Sequence, residues 1–145
     1  MQYRGTVQMV DDLNLDVRPY EDSIFEQWIK GFGDAYRQLF MEADMEPEDE
    51  DKEGNRRWAN ENRGNLFTFF DGSEFIGSCH LRDGYIRSMF VCPQHQGRGY
   101  GKRILQYIIA QAQTQGSDLI RLAVLDINER ANNLYELQAL GADNE

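Results

Sequence analysis

Residues 88–103, Ser-Met-Phe-Val-Cys-Pro-Gln-His-Gln-Gly-Arg-Gly-Tyr-Gly-Lys-Arg, constrain this chain more than any other stretch. Met89, Phe90 and Val91 read as the end of a buried strand, and Pro93 breaks it. A glycine-rich turn follows, and a helix is predicted from Gly101 to Gln115. Gly97, Gly99 and Gly101 alternate with other residues, so the backbone can come close to a ligand and turn successive N–H groups inward. The helix aims its positive N-terminal end at the same spot. Such a device suits a pyrophosphate.

Spacing separates three kinds of phosphate loop. A G-x-x-x-x-G-K-[ST] loop needs glycine where Gln96 stands, and Ser or Thr where Arg103 stands. A G-x-G-x-x-G dinucleotide turn is met by Gly97 and Gly99 but fails at Lys102, and several strands precede it here. A third pattern, Gln/Arg-x-x-Gly-x-Gly/Ala, is met by Gln96, Gly99 and Gly101. It resembles motif A of the GNAT acyltransferase superfamily, whose loop binds the pyrophosphate of acetyl-CoA. A plain glycine turn between strand and helix is the alternative for these residues alone.

A second element lies downstream. Asn128-Glu129-Arg130-Ala131-Asn132-Asn133-Leu134-Tyr135 follows a predicted strand, Leu119 to Leu125, and opens a helix. Asn128 is a candidate N-cap, and Ala131, Leu134 and Tyr135 share one helical face. The spacing is similar to the fourth-helix signature of GNAT enzymes. That resemblance implies that Asn128 contacts the pantetheine arm and that Tyr135 lies near the thioester sulfur as a general acid. Read without it, Asn128 is a simple cap and Tyr135 a core residue.

The 145 residues suffice for one domain over 1–145, and 41% hydrophobic with 12% aromatic residues is enough to fold. Nine basic and nineteen acidic side chains lie in residues 1–83, against six and six in 84–145. The net charge of −10 therefore belongs to the N-terminal part. Nucleic-acid binding is disfavoured by like-charge repulsion, and a cationic partner is favoured. No apolar run is long enough to span a bilayer, and no signal-peptide pattern opens the sequence. Cys79 and Cys92 match no zinc or redox spacing, so no metal is expected. Free thiols suit a reducing, cytoplasmic setting.

Along the chain, Gln2 to Val10 could form an extra strand, and Leu13, Leu15 and Val17 alternate as a half-buried one. Ile24, Phe25, Trp28 and Ile29 mark a helix interrupted by Gly31 and Gly33. Ala35, Tyr36, Leu39 and Phe40 mark a second. Asn55 to Glu61 suggests a short helix; Leu66 to Phe70, Glu74 to Leu81 and Tyr85 to Val91 are strands joined by Asp71-Gly72 and Asp83-Gly84 turns. The expected class is α+β. The element order also resembles the GNAT fold, a mixed, mainly antiparallel twisted sheet flanked by helices, here lacking the usual C-terminal strand pair. That would leave an edge open beside Leu119–Leu125, to be covered by the N-terminal strand, by a second subunit in a homodimer, or by nothing.

The resemblance implies acetyl-CoA as co-substrate, lying between the strands that end at Val91 and Leu125. Met89, Phe90 and Val91 would meet its pantetheine, and a backbone N–H near Val91 its thioester carbonyl. Gln96, Gly97, Arg98, Gly99, Tyr100, Gly101 and Lys102 would form the pyrophosphate loop, with Arg103 nearby. The acceptor would be a cationic small molecule, or the lysine or N-terminal amine of a peptide. Its amine, with a pKa near ~10.4, must lose a proton to attack. Many family members keep a Glu on the strand before the loop, where this chain has Arg87 and Ser88. His80, on the neighbouring strand, is the substitute candidate, ahead of Glu74, Asp83 and Tyr85. A truncated, non-catalytic acyl-CoA-binding or interaction module is the alternative function.

Overall fold

A computed structural model describes residues 2–3, 12–123, 128 and 142–143, with side chains described for 12–123 and 128. In chain order the elements are β1 (Gln2–Tyr3), β2 (Asp16–Pro19), α1 (Phe25–Glu42), α2 (Lys52–Glu61), β3 (Leu66–Asp71), β4 (Glu74–Arg82), β5 (Tyr85–Val91), α3 (Tyr100–Thr114), β6 (Ile120–Leu122) and β7 (Ala142–Asp143). They form one sheet in the order β2-β3-β4-β5-β6-β1-β7. The pairs are antiparallel except β5 with β6, which run parallel across the α3 crossover. The expected α+β class and mainly antiparallel sheet are therefore observed.

The β4–β5 turn follows from its sequence. Asp83 at φ 50° and Gly84 at φ 76° are both left-handed, as a two-residue hairpin turn of the primed type requires. β4 is buried along seven consecutive residues because helices cover both of its faces. On one face α3 contributes Ile104, Leu105, Ile108, Ile109 and Ala112 to a core with Phe69, Cys79, Leu81 and Ile86. On the other, α1 and α2 bring Phe25, Trp28, Ile29 and Ala59 against Leu66, Phe70, Phe75 and Cys92.

The expected break at Gly31 and Gly33 does not occur: α1 runs unbroken from Phe25 to Glu42. These glycines serve close approach. A Cβ on Gly31 would stand 2.7 Å from Cys92 Sγ and 2.9 Å from Phe75 Cε1, so its absence lets α1 settle on the sheet. The Leu13–Val17 strand is displaced to Asp16–Pro19, while Leu13, Leu15 and Val17 still pack on the α3-side core.

The edge beside β6 is covered from within the chain. β1 pairs with it through Gln2↔Arg121 and Tyr3↔Ile120, and the two-residue β7 pairs with β1. The C-terminal strand pair of the expectation is thus shortened, and the N-terminal strand takes the place beside β6. Among the described residues no helix is long and apolar enough to cross a membrane.

Candidate active site

The loop after β5 is shaped by its main chain. Pro93–His95 make one 3-10 turn, and Gln96 Nε2 donates to Val91 O at 3.0 Å, tying the loop to the strand end. Gly97 and Gly99 lie at φ 79° and 82°, flanking exposed Arg98. Left-handed glycines spaced this way turn neighbouring N–H groups to one side. A Cβ at either would meet nothing within 4 Å among the described residues, so glycine serves here for its φ. Gly99 is the N-cap of α3 and supplies no side-chain cap, so the N–H groups of the first turn face outward as an anion site. Gly101 lies within that first helical turn, beside Tyr100 and Lys102, one residue after the observed helix start. Arg103 is committed elsewhere, donating to Leu13 O at 3.1 Å with its guanidinium 4.7 Å from the Tyr100 ring centroid. Arg98, Gly99 and Arg103 open onto a cleft also lined by Asp12 and Asn14. Main-chain donors and positive charge with no carboxylate on the loop itself fit a pyrophosphate.

β5 carries a bulge directly before this loop. Ser78 opposes Phe90 and His80 opposes Arg87, so Cys79 faces two residues, Ser88 and Met89. Ser88 takes φ 54°, rare for a residue with a Cβ. Bulges bend a strand and re-aim its neighbours. On its other edge, β5 pairs with β6 at Tyr85↔Arg121 and Ile86↔Leu122, and Ala123 N–H donates to Ile86 O at 2.9 Å. Among the described residues that ladder does not continue to Met89, Phe90 and Val91. Phe90 packs toward α1, while Met89 and Val91 border the α3-side core. No sequence signal marked Ser88 for this conformation.

His80 lies on the α1/α2 face. It is 1% exposed, and neither Nδ1 nor Nε2 has a hydrogen-bond partner among the described residues. Burial lowers its pKa, and the nearby Arg87 and Arg82 guanidiniums lower it further, so the imidazole is neutral at pH 7. The Trp58 ring lies tilted against it at 5.3 Å between centroids, and Trp58 stacks on Trp28 at 6.2 Å. Trp28 Nε1 donates to Ser78 Oγ at 3.2 Å, and Ser78 Oγ donates to Phe67 O at 2.7 Å. Arg56 holds α2 at the start of α1 by a fork onto Asp22 Oδ1 and Oδ2, at 2.8 and 2.6 Å. Those bonds, and one from Asn60, bring the Asp22 pKa down to about 2. Trp58 and Ser78 were missed by the sequence reading; neither belongs to a motif, and each acts only through partners far along the chain.

Of the remaining candidates, Asn128 is half-buried, and Tyr135 lies outside the described residues. Glu74, Asp83 and Tyr85 are exposed, away from the bulge. Among the described residues no group of three or more His, Cys, Asp or Glu could hold a metal ion.

Loop, bulge and helix follow one another in the order of an acyltransferase-type α+β fold. Residues 25–141 match the Acetyltransferase (GNAT) family, and the chain belongs to it. Among curated proteins, it is 37% identical over 83 residues to a mouse thialysine N-epsilon-acetyltransferase, covering 57% of this chain and 48% of that protein. The bovine protein of the same name is 41% identical over 61 residues, covering 42% and 35%. The chain thus matches about half, or less, of the length of these relatives. Its fold is similar to an acetyltransferase of the GNAT family from Staphylococcus aureus, at TM-score 0.67 and 19% identity over 85% of this chain and 82% of that one. It is also similar to a predicted acetyltransferase from Clostridium acetobutylicum solved with acetyl-CoA, at TM-score 0.66 and 16% identity over 90% and 92%.

Proposed function

We propose that this chain is an acetyl-CoA-dependent N-acetyltransferase whose acceptor is the primary amine of a small cationic molecule or of a peptide. The observation that carries the reading is the sequence of bulged β5, left-handed Gly97 and Gly99, and the uncapped N-terminus of α3. Acetyl-CoA would supply the activated acetyl carbonyl. The N–H groups of Gly97 to Lys102 would hold its pyrophosphate, with Arg98 and Lys102 offsetting charge. The main chain of Met89, Phe90 and Val91 and the side chain of Asn128 would orient its arm.

His80, neutral and buried with neither nitrogen bonded among the described residues, would be the group to take the proton the amine must lose. Tyr135 would hydrogen-bond or protonate the departing thiolate. The mouse and bovine relatives are named for acetylating the ε-nitrogen of a lysine analogue, which supports an amine at the end of an extended side chain as the acceptor. Exposed carboxylates Glu46, Glu48 and Asp49, between α1 and α2, suit attraction of such a cation. The buried free thiols of Cys79 and Cys92 suit a cytoplasmic protein.

A second reading, a non-catalytic acyl-CoA-binding module, is favoured by Arg87 and Ser88 standing where a carboxylate base would serve. Release of free CoA from acetyl-CoA, followed with and without a panel of amines, separates the two. Amine-dependent release at a rate above solvent hydrolysis is expected. Tight acetyl-CoA binding with no amine in the panel accelerating release would establish the second reading. In the active case Tyr135→Phe lowers kcat by roughly 10²-fold or more with little change in acetyl-CoA affinity.

A further inference from the structure

One face of the sheet is basic in an acidic protein. Ile86, Ile120 and Leu122 belong to the core under α3, so by alternation Tyr85, Arg87 and Arg121 stand on the opposite face. Arg82 joins them, two residues beyond His80 on β4. The registers Arg82↔Tyr85 and Tyr85↔Arg121 set those residues in one cross-strand row, and His80↔Arg87 forms the row nearer the bulge. Arg82, Tyr85, Arg87 and Arg121 are all exposed. Arg82 lies 3.8 Å from Asp83 in the adjoining turn. Arg87 and Arg121 have no carboxylate partner among the described residues, and the guanidinium of Arg87 has only the Tyr85 ring, 6.0 Å away. After burial, Arg87 and then Arg82 lower the His80 pKa, so the field over this face is positive. The chain as a whole carries −10. Arg87 also stands directly before the bulge, on the same face as Phe90, which lies three residues on, about 10 Å along the strand.

We infer that Arg87 selects the acyl acceptor through a carboxylate: the favoured acceptor is an amino acid whose reacting amine ends its side chain, laid along β5 with that amine at the Phe90–Val91 end and its carboxylate on the Arg87 guanidinium. This rests on the acetyltransferase reading above and narrows its acceptor from any cationic amine to one that also carries an anion. A guanidinium is always charged and presents a planar fork of N–H donors that fits a carboxylate oxygen by oxygen. The amine end needs no such fork and is drawn by the acidic N-terminal part of the chain, so the two charges of the acceptor are met by two different regions. Arg82 and Arg121, one row further from the bulge, add to the positive field without sharing the contact.

The test uses the full chain with saturating acetyl-CoA and two probes, lysine and cadaverine, which differ by one carboxylate. Wild-type kcat/KM, followed by CoA release, should favour lysine about tenfold, chiefly through KM, the scale of a hydrogen bond to a charged group. Arg87→Gln should bring the lysine-to-cadaverine ratio close to one, and Arg87→Lys, which keeps the charge but not the fork, should retain part of it. Arg121→Gln should leave the ratio as it is. A wild type that does not prefer lysine, or an Arg87→Gln variant that still does, overturns the inference. Equal losses in Arg87→Gln and Arg121→Gln would do so too, by showing a diffuse field rather than a site. A dimer in light scattering that Arg87→Gln dissociates would give the face to a second copy of the chain instead. Wild-type protein that releases no CoA with any amine refutes the acetyltransferase reading. Calorimetric titration of its CoA complex with lysine and with cadaverine then still judges Arg87: lysine must bind the more tightly, and only while Arg87 is present.

Discussion

The loop Gln96–Lys102 and the face that holds His80 both adjoin β5, and they are made of different material. Around the loop the groups presented are main-chain N–H donors, on two left-handed glycines and a helix start without a side-chain cap. Among the described residues nothing lies within 4 Å of where a Cβ on Gly97 or Gly99 would stand. Around His80 the neighbouring groups are mostly side chains, from α1, α2 and β4: Trp28 bonded to Ser78, Ser78 to the Phe67 main-chain carbonyl of β3, and Trp58 stacked on Trp28 and tilted against His80. A main-chain site is written in consecutive residues and changes little in stability when its exposed residues change. A side-chain site is spread along the sequence, and its parts double as core. Substitutions in the loop should therefore be read out as affinity, and substitutions of the aromatic side chains packed around His80, such as Trp28, as stability.

The largest expected effect belongs to the His80 face. Trp28 is 1% exposed and central to four aromatic neighbours besides Trp58. Trp28→Ala should cost about 3–5 kcal/mol through the cavity alone, before the orphaned Ser78 hydroxyl is counted. Denaturant unfolding measures it. A cost below about 1 kcal/mol would show that this face is not core and would break the contrast with the loop.

Next comes the loop, through a pair of variants. Gly99 sits at φ 82°, so Gly99→Ala and Gly99→Asp share the strain of a left-handed residue with a Cβ, about 1–2 kcal/mol. Only Asp adds negative charge where a pyrophosphate would bind. Acetyl-CoA affinity, measured by calorimetric titration, should fall by roughly tenfold to a hundredfold more in Gly99→Asp than in Gly99→Ala, the scale of a lost charge-assisted contact. Equal affinities in the two folded variants would remove the pyrophosphate from this loop.

The same contrast explains what was legible in the sequence. The loop was readable because Gln96, Gly99, Gly101, the preceding strand and the following helix are contiguous. So were the hairpin at Asp83-Gly84 and the core stripe from Ile104 to Ala112. The His80 face was not readable as a site. Trp28 and Trp58 show in the sequence only as apolar helix positions, and their stacking across α1 and α2 joins residues thirty positions apart in the chain. Ser88 gives no hint of its bulge, because an ordinary side chain is held left-handed by the register on either side of it. Gly31 was misread for a physical reason. Propensity counts glycine as a helix breaker, but the contact with Cys92 and Phe75 needs a residue without a Cβ.

Gly31→Ala sharpens that last point. In an exposed helix the change would gain about 1 kcal/mol. Here the added Cβ would stand 2.7 Å from Cys92 Sγ and 3.2 Å from Phe90 Cε2, so packing must shift at a cost of about 1–3 kcal/mol. A net loss near 1 kcal/mol is expected. Combining it with Cys92→Ala should give a smaller loss than the two single changes added together, because the second change clears the clash. Strict additivity would show that α1 accommodates the methyl elsewhere.

The smallest expected effect tests whether His80 is held for chemistry at the expense of stability. Its folded pKa lies below the ordinary value, so the unfolded chain binds the proton more readily. The contribution to stability is whole above the unfolded pKa of about 6.5 and declines as pH falls toward the folded value. Asp22 acts in the same direction but in a lower window, between its ordinary value of 3.8 and about 2, where protonation undoes the Arg56 fork. Unfolding followed from pH 7 downward should therefore show two separate declines. His80→Phe removes the upper one and, by deleting two buried nitrogens that have no partner among the described residues, should leave the protein at pH 7 as stable as the wild type or slightly more so. The same variant should lose amine-dependent CoA release. If His80→Phe instead destabilises the fold strongly at pH 7, the imidazole has a structural partner, and its assignment as the proton acceptor falls.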